Sequence, residues 1–233
     1  MSILSAPKYR RSLNRLLALA MISSVAACDS TETSSPQLVP TRIAVIAGVD
    51  SQSAVVGKST SNTVSVIVNA QNGGAVDGAV VTWTIVDGNG SVSFAQSASD
   101  ASGVASTSWT LGTTAGANVL QATLANGESV MINATALAGP AASLTVMSGN
   151  NQQVAADGTS AALVVSAADQ YGNVIKGLNI VWTTSAGVLS AAATSTDATG
   201  QASTELTTDD TDVNYVVTAS YGTLSAVFSV TEN

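Results

Sequence analysis

From residue 41 onward, apolar residues alternate with small polar ones in short runs, without the 3.6-residue spacing of an amphipathic helix. Because successive side chains of a strand point to opposite faces, residues two apart share a face, and the apolar ones should face a core. The pattern therefore predicts strands throughout. The residues expected to face inward in the first half are Val64, Val66, Val68, Ala79, Val81, Trp83, Ile85, Ala105, Thr107, Trp109, Leu120, Ala122 and Leu124.

The pattern occurs twice along the chain. Residues 76–83 recur as residues 175–182, and residues 99–107 recur as residues 196–204, each just under a hundred positions later. Inward residues of the second copy are expected to be Leu163, Val165, Ala167, Leu178, Ile180, Trp182, Ala202, Thr204, Leu206, Val217, Ala219 and Tyr221. A repeat of this length is the size of one immunoglobulin-like (Ig-like) sandwich. We therefore expect two homologous domains, joined near Gly139.

Glycine-rich segments separate the predicted strands. Residues 72–74 and 171–173 are expected to supply the positive φ angles of a hairpin turn between the strands on either side. About seven short strands per copy, with alternating faces and regular turns, are typical of a sandwich. The predicted fold class is all-β, with two tandem Ig-like (Greek-key) β-sandwich domains.

The N-terminal segment has the features of an export signal. Four basic residues precede an apolar run over residues 16–27, and the run ends at Cys28. Such a run would cover roughly 18 Å as a helix, well short of the roughly 30 Å hydrocarbon core of a membrane. Residues 25–28, Val-Ala-Ala-Cys, resemble a bacterial lipobox, and the resemblance implies diacylglyceryl modification of the Cys28 thiol. Ordinary secretion with cleavage near this point is the alternative.

These observations divide the chain into four parts. Residues 1–27 are expected to be a lipoprotein signal peptide and residues 28–40 a lipid-anchored flexible tether, rich in Ser and Thr. Residues 41–138 and 141–231 are expected to be the two Ig-like domains. Cys28 is the only cysteine of the chain, so an intrachain disulfide is excluded.

Charge limits the possible partners. The whole chain carries a formal net charge of −8, and removal of the signal leaves three basic residues, Arg42, Lys58 and Lys176, against all 15 acidic ones, so 3 − 15 = −12. A chain this acidic has no basic surface for nucleic acid or anionic lipid. Attachment to a membrane should therefore depend on acyl chains on Cys28.

Residues 169–177, Asp-Gln-Tyr-Gly-Asn-Val-Ile-Lys-Gly, resemble the D-x-x-G-N-x-V-x-G signature of bacterial Ig-like domains of the intimin/invasin type. Residues 196–202 resemble the T-D-x-x-G-x-A segment of the same family. The first copy departs from the signature with Ala70 in place of the aspartate and Gly74 in place of the asparagine. The resemblance implies an Ig-like fold and a role as a stalk or adhesion module.

The motif residues have structural interpretations. We expect the aspartates to accept backbone N–H groups in Asx-type turns, the glycines to adopt conformations closed to other residues, and the two tryptophans to lie in the cores rather than to stack on sugars. The residues concerned are Asp100, Gly103, Asp169, Gly172, Asn173, Gly177, Asp197, Gly200, Trp83 and Trp182.

Candidate chemistry is sparse. The sequence has no histidine and one cysteine, which excludes Ser-His-Asp and Cys-His arrangements and the usual zinc sites, so we expect no enzymatic activity and no cofactor. The carboxylates of Asp209, Asp210 and Asp212 are a weak calcium candidate, because Ca²⁺ takes oxygen ligands. A solvated acidic loop is the favoured interpretation of these residues.

Three functions follow as hypotheses. The leading one is a structural or adhesive module, a spacer or a cell-adhesion protein, exported and lipid-anchored in the cell envelope. The runner-up is a binding module for polysaccharide or a partner protein, with Tyr171 and Tyr215 as candidate exposed aromatics. An accessory subunit of an envelope enzyme complex is the third. Asp29 after Cys28 resembles an inner-membrane retention signal of enteric bacteria, yet the outer membrane or cell surface is favoured here.

Overall fold

The computed structural model describes residues 37–209 and 213–233, and every regular element in this part of the chain is a β-strand. The strands of the first half are β1 (Arg42–Val45), β2 (Gln52–Val55), β3 (Val64–Asn69), β4 (Val80–Asp87), β5 (Ser91–Val92), β6 (Gln96–Ala98), β7 (Val104–Thr107), β8 (Trp109–Thr110), β9 (Gly116–Leu124) and β10 (Ser129–Leu137). Those of the second half are β11 (Ser143–Ser148), β12 (Gln152–Val154), β13 (Leu163–Ala168), β14 (Asn179–Thr184), β15 (Val188–Leu189), β16 (Ala193–Ser195), β17 (Gln201–Thr204), β18 (Leu206–Thr207), β19 (Asn214–Tyr221) and β20 (Leu224–Glu232).

Each half contains two main sheets in the same order. The first half has a three-stranded sheet, β1-β3-β7, and a five-stranded sheet, β2-β10-β9-β4-β6. The second repeats these orders as β11-β13-β17 and β12-β20-β19-β14-β16. Strand β2 runs parallel to β10, as β12 does to β20, and the other pairings are antiparallel. The number of strands in each half exceeds the predicted seven, partly because it includes two-residue strands such as β5 and β8. Such strands were not predicted, because alternation cannot be detected over two residues.

One hydrophobic core lies between the two sheets of each half. In the first, Val64, Val66 and Val68 of β3 pack in the same cluster as Trp83 of β4 and Leu120 of β9. The second half forms a separate cluster from the corresponding residues of β13, β14 and β19. Side chains from both sheets therefore exclude water from a shared interior, which is the arrangement of a sandwich. The prediction of an all-β chain with two sandwiches in tandem is confirmed.

The turn that follows β3 differs from its prediction. Gly73 has the expected positive φ of 84°, but β3 lies in the three-stranded sheet and β4 in the five-stranded one, so the turn does not join two paired strands. It closes locally through a bridge between Asn69 and Ala75, after which the chain crosses to the other sheet. The second half repeats this crossover, with Gly172 in the turn. The positive φ of the turn was therefore predicted correctly in both copies, but the expected pairing of β3 with β4, and of β13 with β14, was wrong.

All three tryptophans are buried, and they differ in their hydrogen bonds. The indole N–H of Trp83 donates to the Ser97 Oγ at 2.9 Å, and that of Trp182 to the Thr194 Oγ1 at 2.8 Å. The Nε1 of Trp109 has no acceptor within the described part of the chain. An unpaired buried donor costs about 1–3 kcal/mol, which burial of the large indole ring offsets.

Two tyrosines lie where the alternation was misread. Tyr221 was expected to face inward, but it is 39% exposed, because it ends β19 beside the turn at Gly222 and lies beyond the edge of the core. Tyr215 was a candidate exposed aromatic, but it is fully buried in the second core. Burial raises the pKa of its hydroxyl, which donates to the Glu232 Oε2 at 3.0 Å. Tyr215 is therefore a core residue.

Candidate functional site

The Asp-Gln-Tyr-Gly-Asn segment begins directly after β13. The Oδ1 of Asp169 accepts the backbone N–H groups of Tyr171 and Asn173, each at 2.9 Å, as expected for an Asx turn. Its Oδ2 accepts the side-chain N–H of Asn173 at 2.9 Å and the backbone N–H of Gly139 at 2.8 Å. Because Gly139 lies between β10 and β11, the Asp169 carboxylate ties the turn to the segment that connects the two sandwiches.

Asn173 extends from the same turn to the first sandwich. Its Oδ1 accepts the backbone N–H of Ala115 at 2.8 Å, and its Nδ2 donates to the backbone carbonyl of Thr113 at 2.8 Å. Both partners lie in the loop between β8 and β9. The amide group thus pairs with a donor and an acceptor of the other sandwich, in the way that a backbone peptide group would. We call Asp169, Asn173, Gly139 and the loop residues 113–115 the junction.

The first half provides an internal control for the role of these side chains. Its corresponding turn closes with a bond from the Ala70 N–H to the Gly74 carbonyl at 2.9 Å, the same length as the bond from the Asp169 N–H to the Asn173 carbonyl. The turn therefore forms without a carboxylate or an amide at these two positions. The Asp169 and Asn173 side chains instead bond to groups outside the turn, Asp169 to the N–H of Gly139 and Asn173 to the backbone of residues 113 and 115.

The Asp169 carboxylate is 3% exposed. Burial alone would raise its pKa, but the hydrogen bonds from the Asn173 side chain and from the N–H groups of Gly139, Asn173 and Tyr171 lower the pKa below its ordinary value of 3.8. All four donors stabilise the ionised form. The junction thus depends on a charged carboxylate that no described cation pairs with, since every partner is an N–H group.

This arrangement predicts acid sensitivity at the junction. Because the folded-state pKa of Asp169 lies below its ordinary value of 3.8, its contribution to stability is complete above that value and is lost as the pH falls through the lowered one. Thermal melting followed by circular dichroism should therefore show that the melting temperature falls between pH 6 and pH 2. This fall should be smaller in Asp169→Asn. An identical pH profile in Asp169→Asn would contradict this assignment.

The other motif aspartates lie in turns before β7 and β17. The Asp100 Oδ1 accepts the N–H groups of Ser102 at 2.8 Å and Val104 at 3.0 Å. Asp197 makes the equivalent bonds in the second half, and its pKa is lowered, chiefly by the hydrogen bond from the Thr199 side chain. Neither aspartate has a hydrogen bond across the junction among the contacts of the described residues. Both act within their own sandwich.

The motif glycines shape turns. Gly103 has a φ of 77°, and a Cβ there would lie 2.5 Å from the Val68 carbonyl oxygen, so glycine is required by both conformation and space. Gly200 has a φ of 74°, and a Cβ there would lie 2.7 Å from the Val174 Cβ and 3.0 Å from the Ala167 carbonyl oxygen. Gly172 and Gly177 also have positive φ, but a Cβ at either would meet open space, so only their conformation favours glycine.

Several predicted site residues lie outside the described residues. Cys28 is one, and Asp210 and Asp212 of the calcium candidate are others. Asp209 is described, and its Oδ2 accepts the Gly187 N–H at 3.2 Å while its backbone carbonyl accepts the Tyr215 hydroxyl. No cluster of three or more acidic, His or Cys side chains suited to a metal occurs among the described residues. Nor does any helix with the length and hydropathy of a membrane span occur in the same part of the chain.

A cleft of about 410 Å³ lies beside the junction, between the two sandwiches. Tyr171, the only aromatic residue of the motif, forms part of its wall and is 48% exposed. The remaining lining residues are Val55, Val56, Gly57, Lys58, Gly139, Pro140, Ala141, Ala142 and Gln170. Sequence reasoning missed this cleft and the loop partners of Asn173, because backbone groups carry no residue signature. The sequence did contain one signal for the junction: the first copy has Ala70 and Gly74 where the second has Asp169 and Asn173.

Comparison with known families identifies the second half. Residues 143–231 match the family described as bacterial Ig-like domain (group 1). The second sandwich thus matches the family that residues 169–177 resemble, and the first sandwich has the same sheet order. No curated protein sequence is similar enough to the chain to count as a match.

Several solved structures of bacterial proteins are similar to this chain. InvD of Yersinia pseudotuberculosis is 24% identical over 84% of this chain and 58% of its own, with a TM-score of 0.50. The Escherichia coli adhesin FdeC is 18% identical over 81% of this chain and 63% of its own, also with a TM-score of 0.50. Invasin, a bacterial integrin-binding protein, is 24% identical over 84% of this chain and 39% of its own, with a TM-score of 0.40. The chain thus spans less than two thirds of each of these structures. The likeness to InvD and FdeC supports the tandem Ig-like fold alone.

Proposed function

We propose that the protein is a lipid-anchored module of the cell envelope in which two Ig-like sandwiches act as one structural or adhesive unit, a spacer or a cell-adhesion protein. The observation that carries this proposal is the pair of hydrogen bonds from the Asn173 side chain to the backbone of the first sandwich, both at 2.8 Å. If the two sandwiches moved freely, we would not expect a side chain of one to be hydrogen-bonded to the backbone of the other. Holding two domains in a fixed arrangement serves a structural role directly.

An adhesive role is supported by what similar folds do. FdeC is an adhesin by its published description. Fold likeness does not transfer a ligand, so a protein or a glycan is proposed here only as a class of partner. The acidic charge of the mature chain argues against nucleic acid. We propose no catalytic step and no cofactor for the protein. Its two domains are proposed to be residues 41–138 and 141–231.

The anchor is proposed from the N-terminal sequence. Cys28 follows an apolar run and small residues, and two or three acyl chains on its thiol and amino group would hold the protein stably at a membrane. Residues 28–40 would then serve as a tether between the membrane and the first sandwich. We place the protein at the outer membrane or the cell surface.

Replacement of Cys28 by serine tests the anchor. Metabolic labelling with radioactive palmitate should mark the parent chain and leave Cys28→Ser unlabelled, and the variant should move from the membrane fraction to the soluble fraction. Ser24→Ala, a change within the apolar run, is the matched control and should remain labelled. Label on Cys28→Ser, or none on the parent chain, would overturn the proposed anchor.

The second candidate function is a binding module, and the cleft beside the junction favours it. An exposed aromatic ring in a concave site built from two rigid elements is typical of small-ligand recognition. Tyr171 meets this description, whereas Tyr215 is buried.

A further inference from the structure

The cleft beside the junction has walls from both sandwiches. Val55 and Lys58 belong to the first, Gln170 and Tyr171 to the second, and Pro140 to the connecting segment. Its volume, about 410 Å³, lies within the range of small-molecule sites. The nearby bonds of Asn173 to the first sandwich hold the two walls in place. A ligand would therefore meet a preformed site, which lowers the entropy cost of binding.

Three polar side chains of the lining have unused hydrogen-bonding capacity. The Lys58 ammonium, the Gln170 amide and the Tyr171 hydroxyl take no part in the side-chain hydrogen bonds of the described residues. The lining contains no acidic residue. Asp169 lies next to Gly139 beneath it, but its carboxylate is buried and all its bonds are to N–H groups. Within a strongly acidic chain, the cleft therefore presents a positive charge beside an aromatic ring.

We propose that this cleft binds a carboxylate-bearing sugar, a hexuronic acid unit of an acidic polysaccharide. The Lys58 ammonium would pair with the carboxylate, and the Gln170 amide would bond to ring hydroxyls. The Tyr171 ring offers an apolar face to the C–H groups of the sugar, and Val55 and Pro140 complete the apolar wall. This goes beyond a structural or adhesive role and gives the binding-module alternative a defined site and ligand class.

Titration calorimetry on the full-length chain in detergent tests the site, with tri-galacturonic acid as the probe. The parent chain should bind it, and Lys58→Gln and Tyr171→Ala should each weaken binding by about tenfold, since each loses one principal contact. Lys176→Gln, which removes an exposed lysine outside the cleft, is the matched control and should bind within about twofold of the parent chain. Maltotriose, a neutral trisaccharide, should bind at least about tenfold more weakly.

Any of three results would overturn the proposal: no heat from tri-galacturonic acid at millimolar concentration, equal affinity for maltotriose, or unchanged affinity in Lys58→Gln. Because the titration requires no membrane, its failure would leave the lipid anchor and the junction untouched. A soluble Cys28→Ser variant that still binds the sugar would in turn separate binding from anchoring.

Discussion

Replacing Trp182 by alanine should lower the free energy of unfolding of the second sandwich by about 3–5 kcal/mol, the usual cost of truncating a buried tryptophan. The side chain is 2% exposed and packs against Phe228, with 6.0 Å between the ring centroids. Alanine would also leave the Thr194 hydroxyl without its donor. Urea unfolding followed by circular dichroism measures the change.

A conservative substitution separates the contributions at this position. Trp182→Phe keeps most of the apolar volume and loses the hydrogen bond to Thr194, so its cost should be only about 1–2 kcal/mol. The first sandwich has its own core, so its packing should change little in either variant. Equal unfolding of Trp182→Ala and the parent chain would show that the ring does not lie in the core.

Replacing Asp169 by alanine should cost about 2–4 kcal/mol and uncouple the two sandwiches, because one change removes the acceptor of four N–H groups. Two of these groups come from Asn173, so its side chain would lose the support that orients it toward the first sandwich. Differential scanning calorimetry should then show two separated transitions in place of one coupled transition.

Asp100→Ala is the matched control for this variant. Asp100 accepts two backbone N–H groups in an equivalent Asx turn, but it is exposed and makes no hydrogen bond to the other sandwich among the described residues. Its loss should cost about 1 kcal/mol and leave the coupling intact. If Asp100→Ala separated the transitions as strongly as Asp169→Ala, the junction would not be the source of the coupling.

The cores could be predicted from the sequence because the buried residues of a strand are apolar and recur at every second position. Val64, Val66 and Val68 alternate with exposed or half-buried neighbours, and the structure buries all three. The same period, counted back from Val217, also predicts that Tyr215 is buried, so this residue could have been placed correctly. Tyr221 could not, because the alternation continues to the end of a strand whether or not the core does.

The sheet topology and the junction are less evident in the sequence than the cores are. Alternation assigns a residue to a face but not a strand to a sheet, so the crossover after Gly73 was taken for a hairpin. Asn173 contacts backbone groups about sixty positions earlier in the chain, and such groups have the same chemistry at every residue. Only the replacement of Asp169 and Asn173 by Ala70 and Gly74 in the first copy indicated that the motif does more than close a turn.

The distance between two spin labels, one on each sandwich, measures most directly whether the junction fixes their arrangement. Ser129 of β10 and Ser225 of β20 are exposed, and cysteines at both positions in a Cys28→Ser background allow specific labelling. Double electron–electron resonance should give one narrow distance distribution for this protein and a broad one for Asn173→Gly. This variant has glycine at the position that corresponds to Gly74 of the first copy. A broad distribution before that change, or the same narrow one after it, would contradict a junction held by Asn173.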